Sequence, residues 1–173
     1  MIPIIINRAM PLDILPLLQL GKKTFIESFA EHNSEENMQK YVEASFTIDK
    51  IQNELSNPTS EFYFAIKNQI KIGYLKINRV SVLLGGTNHK SLQIERIYVL
   101  KDHQGIKAGQ KLLEKALDEA KTSEVDYVWL GVWEKNIRAI QFYTKNGFEE
   151  SDRVNFMLGD DKQTDIIMKS TTF

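Results

Sequence analysis

The sequence contains no cysteine. That removes disulfide frameworks, thiolate zinc sites, iron–sulfur clusters and cysteine nucleophiles in one step. Proline is scarce: the 4 prolines stand at 3, 11, 16 and 58, so none interrupts an element in the later chain. No apolar run approaches the ~20 residues that span a bilayer, so no membrane partner is expected. The N-terminus, Met1-Ile2-Pro3-Ile4-Ile5-Ile6, lacks the basic start and small-residue cleavage site of a signal peptide, and the chain reads as cytoplasmic. An excess of one charge is missing too. Lys+Arg is 22 against 23 Asp+Glu, for a net charge of -1, whereas a nucleic-acid binder usually carries a basic surplus. His32, His89 and His103 show no metal-ligand spacing, and no metal is expected.

What is present suits one folded unit. The 173 residues are 42% hydrophobic and 26% charged, which places them with ordinary globular domains and predicts a single domain over 1–173. Ile2 to Ile6 is β-branched and reads as a strand. Met10-Pro11-Leu12-Asp13 opens a helix whose apolar face is Ile14, Leu15, Leu18, Phe25, Ile26 and Phe29. Ser34 and Thr47 are candidate caps for two further helices, the second ended by Asn57-Pro58. Strands follow at Phe62–Ile66, Ile70–Val82 and Ser91–Leu100, with Gly85-Gly86-Thr87-Asn88 as a hairpin turn. The apolar phase slips by one near Glu95-Arg96, which suggests a β-bulge. Ala108–Thr122 is a helix with Leu112, Leu113, Ala116, Leu117 and Ala120 on one face. Tyr127–Trp133 is nearly continuous apolar and reads as a strand covered on both faces. Asn136 caps a helix ending at Asn146-Gly147. Strands around Phe148–Leu158 and Thr164–Lys169 flank an Asp160-Asp161 turn. The order predicts one mixed α/β sheet flanked by helices.

Two segments carry chemistry. In the first, the strand Ile97-Tyr98-Val99 leads through a short loop into Gln104-Gly105-Ile106-Lys107-Ala108-Gly109, which opens a helix. A small-residue turn feeding a helix N-terminus presents unpaired N–H groups and a dipole to one point, an anion site. It is neither a Walker loop nor Gly-x-Gly-x-x-Gly. An ordinary helix-capping loop fits the same spacing. The second segment is Trp133-Glu134-Lys135-Asn136-Ile137-Arg138-Ala139-Ile140-Gln141-Phe142-Tyr143-Thr144-Lys145-Asn146-Gly147-Phe148.

Together the two segments resemble the GNAT superfamily of N-acetyltransferases, whose hallmarks are a Gln/Arg-x-x-Gly-x-Gly/Ala loop and Asn-x-x-Ala-x-x-x-Tyr-x-x-x-Gly-Phe. Gln104 and Gly109 match the ends of the loop pattern, while Lys107 stands where the family usually has its middle glycine. Asn136, Ala139, Tyr143, Gly147 and Phe148 match the second pattern. Ile94–Val99, Leu130–Glu134 and Gln163-Thr164-Asp165 further resemble bacterial spermidine/spermine N-acetyltransferases.

The resemblance implies a mostly antiparallel sheet in which two central parallel strands splay apart, with acetyl-CoA as cosubstrate between them. It implies that Ile97, Tyr98 and Val99 meet the pantetheine and that Gln104, Gly105, Ile106, Lys107, Ala108, Gly109 and Gln110 meet the pyrophosphate. Asn136, Ala139 and Tyr143 complete the cofactor set. The N–H of Val99 is the expected oxyanion donor. The acceptor is expected to be a small-molecule amine, with polyamines favoured. Peptide acetylation and a non-catalytic acyl-CoA sensor are the alternatives, and a homodimer is compatible with the family. An alkyl ammonium with a pKa near ~10.4 must lose a proton before it attacks a thioester. Glu95 is the candidate base, directly or through water, and a plain ion-paired strand carboxylate is its competing reading. Tyr143 is the candidate acid for the leaving thiolate. Glu27, Glu31 and Trp133 are candidate acceptor-binding residues, against a solvated helix face and a core aromatic. With no cysteine in the chain, transfer is expected to be direct.

Overall fold

The computed structural model describes residues 2–84 and 87–173. In chain order these are β1 (Ile5–Arg8), α1 (Ile14–Phe29), a 3-10 turn (Ala30–His32), α2 (Glu35–Ser45), α3 (Ile48–Ser56), β2 (Ser60–Lys67), β3 (Ile70–Leu84) and β4 (Thr87–Val99). A second 3-10 turn (Lys101–His103), α4 (Ala108–Thr122), β5 (Tyr127–Trp133), α5 (Ile137–Lys145), β6 (Glu149–Leu158) and β7 (Asp161–Ser170) complete the chain. The strands form one 7-stranded sheet in the order β1-β2-β3-β4-β5-β7-β6. Every neighbouring pair is antiparallel except β4 and β5. That is the mixed, mostly antiparallel sheet with a central parallel pair expected from the sequence.

Local chemistry sets the helix starts. The Ser34 hydroxyl accepts the Asn37 N–H, and the Thr47 hydroxyl accepts the Lys50 N–H, both at 3.2 Å. Pro16 falls in the first turn of α1, where its missing N–H has no partner to lose. Asn136 caps α5 by accepting the Ala139 N–H at 3.1 Å. Gly147, at φ 85, supplies the left-handed residue that ends it.

The sheet buries both faces unequally. On one face α4 packs Leu112, Leu113, Ala116 and Ala120 against Leu75, Ile77, Leu92, Ile94, Val128 and Leu130. On the other, Leu17, Leu20 and Ile51 of α1 and α3 meet Phe62, Phe64 and Tyr74. A neighbouring cluster joins Phe25, Phe29, Met38, Phe46 and Leu158 to Trp133.

The bulge lies where the phase slip put it. Lys76 pairs with Arg96 and Ile77 with Ile94, so Glu95 is the extra residue of β4. Four details differ from expectation. The first strand begins at Ile5, because Pro3 has no N–H to give a ladder and Ile2 is exposed. Thr87 and Asn88 open β4 instead of turning, paired with Leu84 and Leu83, while Gly85 and Gly86 lie outside the described residues. Asp161 begins β7, and the turn before it falls on Gly159-Asp160. β5 is fully covered on one face and only partly on the other, where Trp133 is buried against α1 but Tyr127 and Trp129 are half-buried. Val128, Leu130 and Val132 are buried, but Gly131 is exposed, because on its face α1 meets β5 only at Trp133, through Phe25 and Phe29.

Candidate active site

The parallel ladder between β4 and β5 runs only from Ser91–Tyr127 to Ile94–Leu130. Beyond it the strands part, and a cleft of about 730 Å³ opens between them. Ile97, Tyr98 and Val99 form one wall, and Trp133, Lys135, Asn136 and Ala139 the other. Alternation aims the backbone of β4. The Leu100 N–H donates to the Ile72 carbonyl at 2.9 Å on the β3 side. The Val99 N–H therefore faces the opposite way, into the cleft. Gly73 permits this arrangement, since a Cβ there would stand 2.6 Å from the Tyr98 carbonyl oxygen.

The floor of the cleft is the turn into α4. Gly105 has φ 80, and Lys107 is left-handed at φ 67. Lys107 thus takes up the backbone conformation that a glycine adopts freely, at a cost of roughly 1–2 kcal/mol. No side chain caps α4 at Lys107, so the first N–H groups of the helix stay open to the cleft. Arg138 on α5 donates to the Gln104 side chain at 2.5 Å and ties the two segments together. The Gln104 amide in turn donates to the Val99 carbonyl at 3.2 Å. Gln110 donates to Asn146 at 2.9 Å and braces α4 against the end of α5. Lys101, Lys107, Lys135 and Arg138 give this end of the cleft a positive field. An open strand edge, an uncapped helix start and four cations fit an extended ligand with anionic phosphates.

Glu27, Ser28, Glu31 and His32 of α1 and the turn after it also line the cleft. His32 lies edge-on to Trp133, with ring centroids 5.4 Å apart. Glu27 is already engaged: its Oε2 accepts the Lys101 backbone N–H at 2.8 Å. Glu31 makes no ion pair or side-chain hydrogen bond among the described residues.

Of the residues singled out from sequence, Ile97, Tyr98, Val99, Gln104, Gly105, Lys107, Ala108, Gly109, Gln110, Asn136, Ala139, Trp133, Glu27 and Glu31 all line the cleft. Three do not. Ile106 points outward, 37% exposed. Tyr143 is buried in the core beside Phe148, with its neighbour Phe142 at the cleft wall instead. Burial pushes its phenol up, and no side chain among the described residues hydrogen-bonds its hydroxyl. Glu95 sits on the bulge but is bound away. Its Oε2 lies 2.6 Å from the Lys76 ammonium and 2.6 Å from the Asn78 amide, and its Oε1 is 3.2 Å from Arg96. Burial pushes its carboxyl up, but the charges of Arg96 and Lys76 and the hydrogen bonds outweigh it. They hold the group below the usual carboxylate range. The geometry is that of the ion-paired strand carboxylate, the competing reading of Glu95.

Ser28, His32, Lys101, Lys135, Ile137, Arg138 and Phe142 also line the cleft and were not foreseen. Lys135 and Arg138 carried a signal: cations flanking Asn136 beside a suspected phosphate site. Ser28 and His32 carried none, because their approach depends on how α1 crosses the sheet. Among the described residues no three of His, Cys, Asp or Glu gather as metal ligands, and no helix is long and apolar enough to cross a membrane.

Residues 23–148 match the model of the acetyltransferase (GNAT) family. The chain is 34% identical over 157 residues to an uncharacterized N-acetyltransferase in the pepI 3′ region of Lactobacillus delbrueckii subsp. lactis, covering 91% of each. It is 23% identical over 152 residues to a spermidine N(1)-acetyltransferase of Thermoplasma acidophilum, covering 84% of this chain and 89% of that one. Among solved structures it resembles the PaiA N-acetyltransferase of the same organism in complex with coenzyme A. The TM-score is 0.79 at 22% identity, over 98% and 99% of the two chains. The chain belongs to the GNAT acetyltransferase family. It is an N-acetyltransferase whose acetyl donor is acetyl-CoA.

Proposed function

We propose that this enzyme acetylates a small primary amine, a polyamine such as spermidine or spermine, within one catalytic unit spanning the chain. The observation that carries the reading is the set of charges lining one cleft. Lys101, Lys107, Lys135 and Arg138 line it with the loop and α5, Glu27 is tied to the loop at Lys101, and Glu31 on the turn after α1 is the carboxylate without an ion pair among the described residues. The four cations suit a phosphate-bearing donor, and Glu31 a cationic acceptor. The relationship to a spermidine N(1)-acetyltransferase supports the same choice.

Acetyl-CoA supplies an acetyl thioester. The N–H groups from Gln104 to Gly109, with Lys107 and Arg138, hold its phosphates. The open edge of Ile97 to Val99 holds its pantetheine, and the Val99 N–H polarises the carbonyl. Asn136 both caps α5 and faces the cleft. We assign the hydrogen bond to the departing sulfur to the Tyr143 hydroxyl, which no described side chain holds, although its ring lies in the core behind Phe142 and not at the cleft wall. Its raised pKa makes it a weak acid, so it acts chiefly as a hydrogen-bond donor.

The test is CoA release with spermidine, spermine and a panel of peptides. Spermidine or spermine is expected to turn over with the highest kcat/KM. Failure with every polyamine alongside turnover of a peptide overturns the acceptor. Tyr143→Phe is expected to lower kcat by about tenfold to a hundredfold with little change in the KM for acetyl-CoA. An unchanged kcat removes the role given to Tyr143.

A further inference from the structure

Glu95 is ion-paired, which leaves the amine without a proton acceptor at the point where β4 and β5 part. The last paired rung is Ile94–Leu130, so the next residues, Glu95 on β4 and Gly131 on β5, face each other across the opening. Next in the sheet is β7, where Asp165 pairs directly with Trp133 and lies diagonal to Gly131. Paired residues share a face of a sheet. Asp165 therefore stands on the same face as Trp133, which lines the cleft, one strand behind the lining itself.

Its carboxylate leans over Gly131. A Cβ added to Gly131 would lie 3.2 Å from Asp165 Oδ2 and 3.7 Å from Ile167 Cδ1. Gly131 is exposed, so this spot opens to solvent beside the buried Trp133. No hydrogen bond or ion pair holds Asp165 among the described residues. The charged and titratable groups around it are His32 against Trp133, Glu95 across the opening, Arg153 and Asp152 one and two rungs away on β6, and Lys169 four residues on along β7. Lys169 is spent over the Tyr127 ring, 3.7 Å from its centroid. Burial alone pushes the Asp165 carboxyl up to about 6.

We propose that Asp165 is the proton acceptor for the incoming amine, working over Gly131 where the central strands separate. The inference rests on the amine-acetyltransferase reading above. Two carboxylates flank the opening, and their surroundings drive them apart. Glu95 is clamped by cations as a structural anion, and Asp165 is left bare as a base. In the reaction an N–H bond of the ammonium breaks and its proton passes to the Asp165 carboxylate, then to solvent. The freed lone pair forms the C–N bond, the nitrogen gives up its second proton as the C–S bond breaks, and that proton balances the one the sulfur takes to leave as the thiol.

The experiment has two arms on the full chain. Carbon-13 NMR of the aspartate carboxyl carbons, compared with Asp165→Asn, identifies the Asp165 resonance. It is expected to titrate near pH 6. A midpoint in the ordinary range near ~3.9 overturns the proposal whatever the acceptor. In the kinetic arm, Asp165→Asn is expected to lower kcat/KM for the acceptor by about a hundredfold or more, with CoA binding retained and no loss of thermal stability. The acidic limb of the pH profile, near pH 6 in the wild type, is expected to vanish in Asp165→Asn and persist in Glu95→Gln. Activity within about threefold of wild type, or loss of the limb in Glu95→Gln instead, overturns the assignment. If the wild type acetylates peptides and no polyamine, the proposed acceptor fails, and Asp165→Asn is then judged on the peptide. If it acetylates no amine, both readings fail.

Discussion

Glu27 on α1 accepts the backbone N–H of Lys101, 74 positions further along the chain, at 2.8 Å. The bond joins a helix on one face of the sheet to the turn that follows β4, across the mouth of the cleft. It holds the loop in place for the donor substrate. Glu27→Ala is expected to raise the KM for acetyl-CoA about threefold to tenfold, with kcat less affected, because a hydrogen bond to a charged group is worth about 1.5–3 kcal/mol and this one is partly exposed. Glu27→Gln keeps an acceptor oxygen and should restore most of the loss. If Glu27 served instead to attract the amine, Glu27→Gln would raise the acceptor KM and leave that for acetyl-CoA alone.

Lys107 occupies a left-handed conformation at the N-cap of α4. Lys107→Gly should raise the melting temperature, with a gain of about 1 kcal/mol from relieved strain. The same change should raise the KM for acetyl-CoA and flatten its salt dependence, because a cation at the phosphate end is gone. Lys107→Ala should lose the affinity without the gain in stability. Thermal melts beside steady-state kinetics separate the three.

Asp165 should cost stability at the pH where it works. Its folded pKa is raised to about 6, above an unfolded value near ~3.9. The folded state therefore binds more protons between those values, and stability falls as pH rises through that window. Above pH 6 the full cost remains. Asp165→Asn is expected to stabilise the protein near neutral pH by about 1 kcal/mol, a figure discounted for the partial exposure of the group. Denaturant midpoints at acidic and neutral pH check it: the gain should be present at neutral pH and absent well below pH 4.

Glu95 should show the opposite sign. Its folded pKa is depressed, so its contribution is complete above the unfolded value near ~4.3 and is lost as pH falls through the folded one. Acid unfolding of the wild type should therefore steepen in that range. Glu95→Gln should be less stable at neutral pH, because it leaves the buried ammonium of Lys76 with one partner fewer, and its acid dependence should be shallower.

Features set by local periodicity were legible in the sequence. Ala108–Thr122 and Tyr127–Trp133 appear with the boundaries expected of them, and the slipped phase at Glu95-Arg96 is a bulge. The cap at Asn136 and the left-handed Gly147 follow from short-range chemistry in the same way. The partners of the charged groups were not legible. Glu95 meets Lys76, and Arg96 meets Glu54 at 2.8 and 2.9 Å, across three different elements. No spacing rule encodes such a meeting, because it depends on how α3 lies over β3 and β4. The exposure of Gly131 was hidden for a related reason. An apolar run shows that a strand is buried somewhere, not which of its faces a helix reaches.

The short ladder between β4 and β5 also has a mechanical meaning. To one side, β2, β3 and β4 pair antiparallel with one another; to the other, β5, β7 and β6 do the same. The two blocks meet through four parallel rungs, and α4 must be in place before those rungs can close. Such a joint forms late and opens early, since long-range parallel pairing repays its loop-closure entropy last. Heat or force should part the sheet along this line, with amide exchange spreading from Ile94 and Leu130 outward. A donor seated in the gap bridges both blocks, so each turnover that releases CoA also removes, for a moment, the brace that holds the halves of the enzyme together.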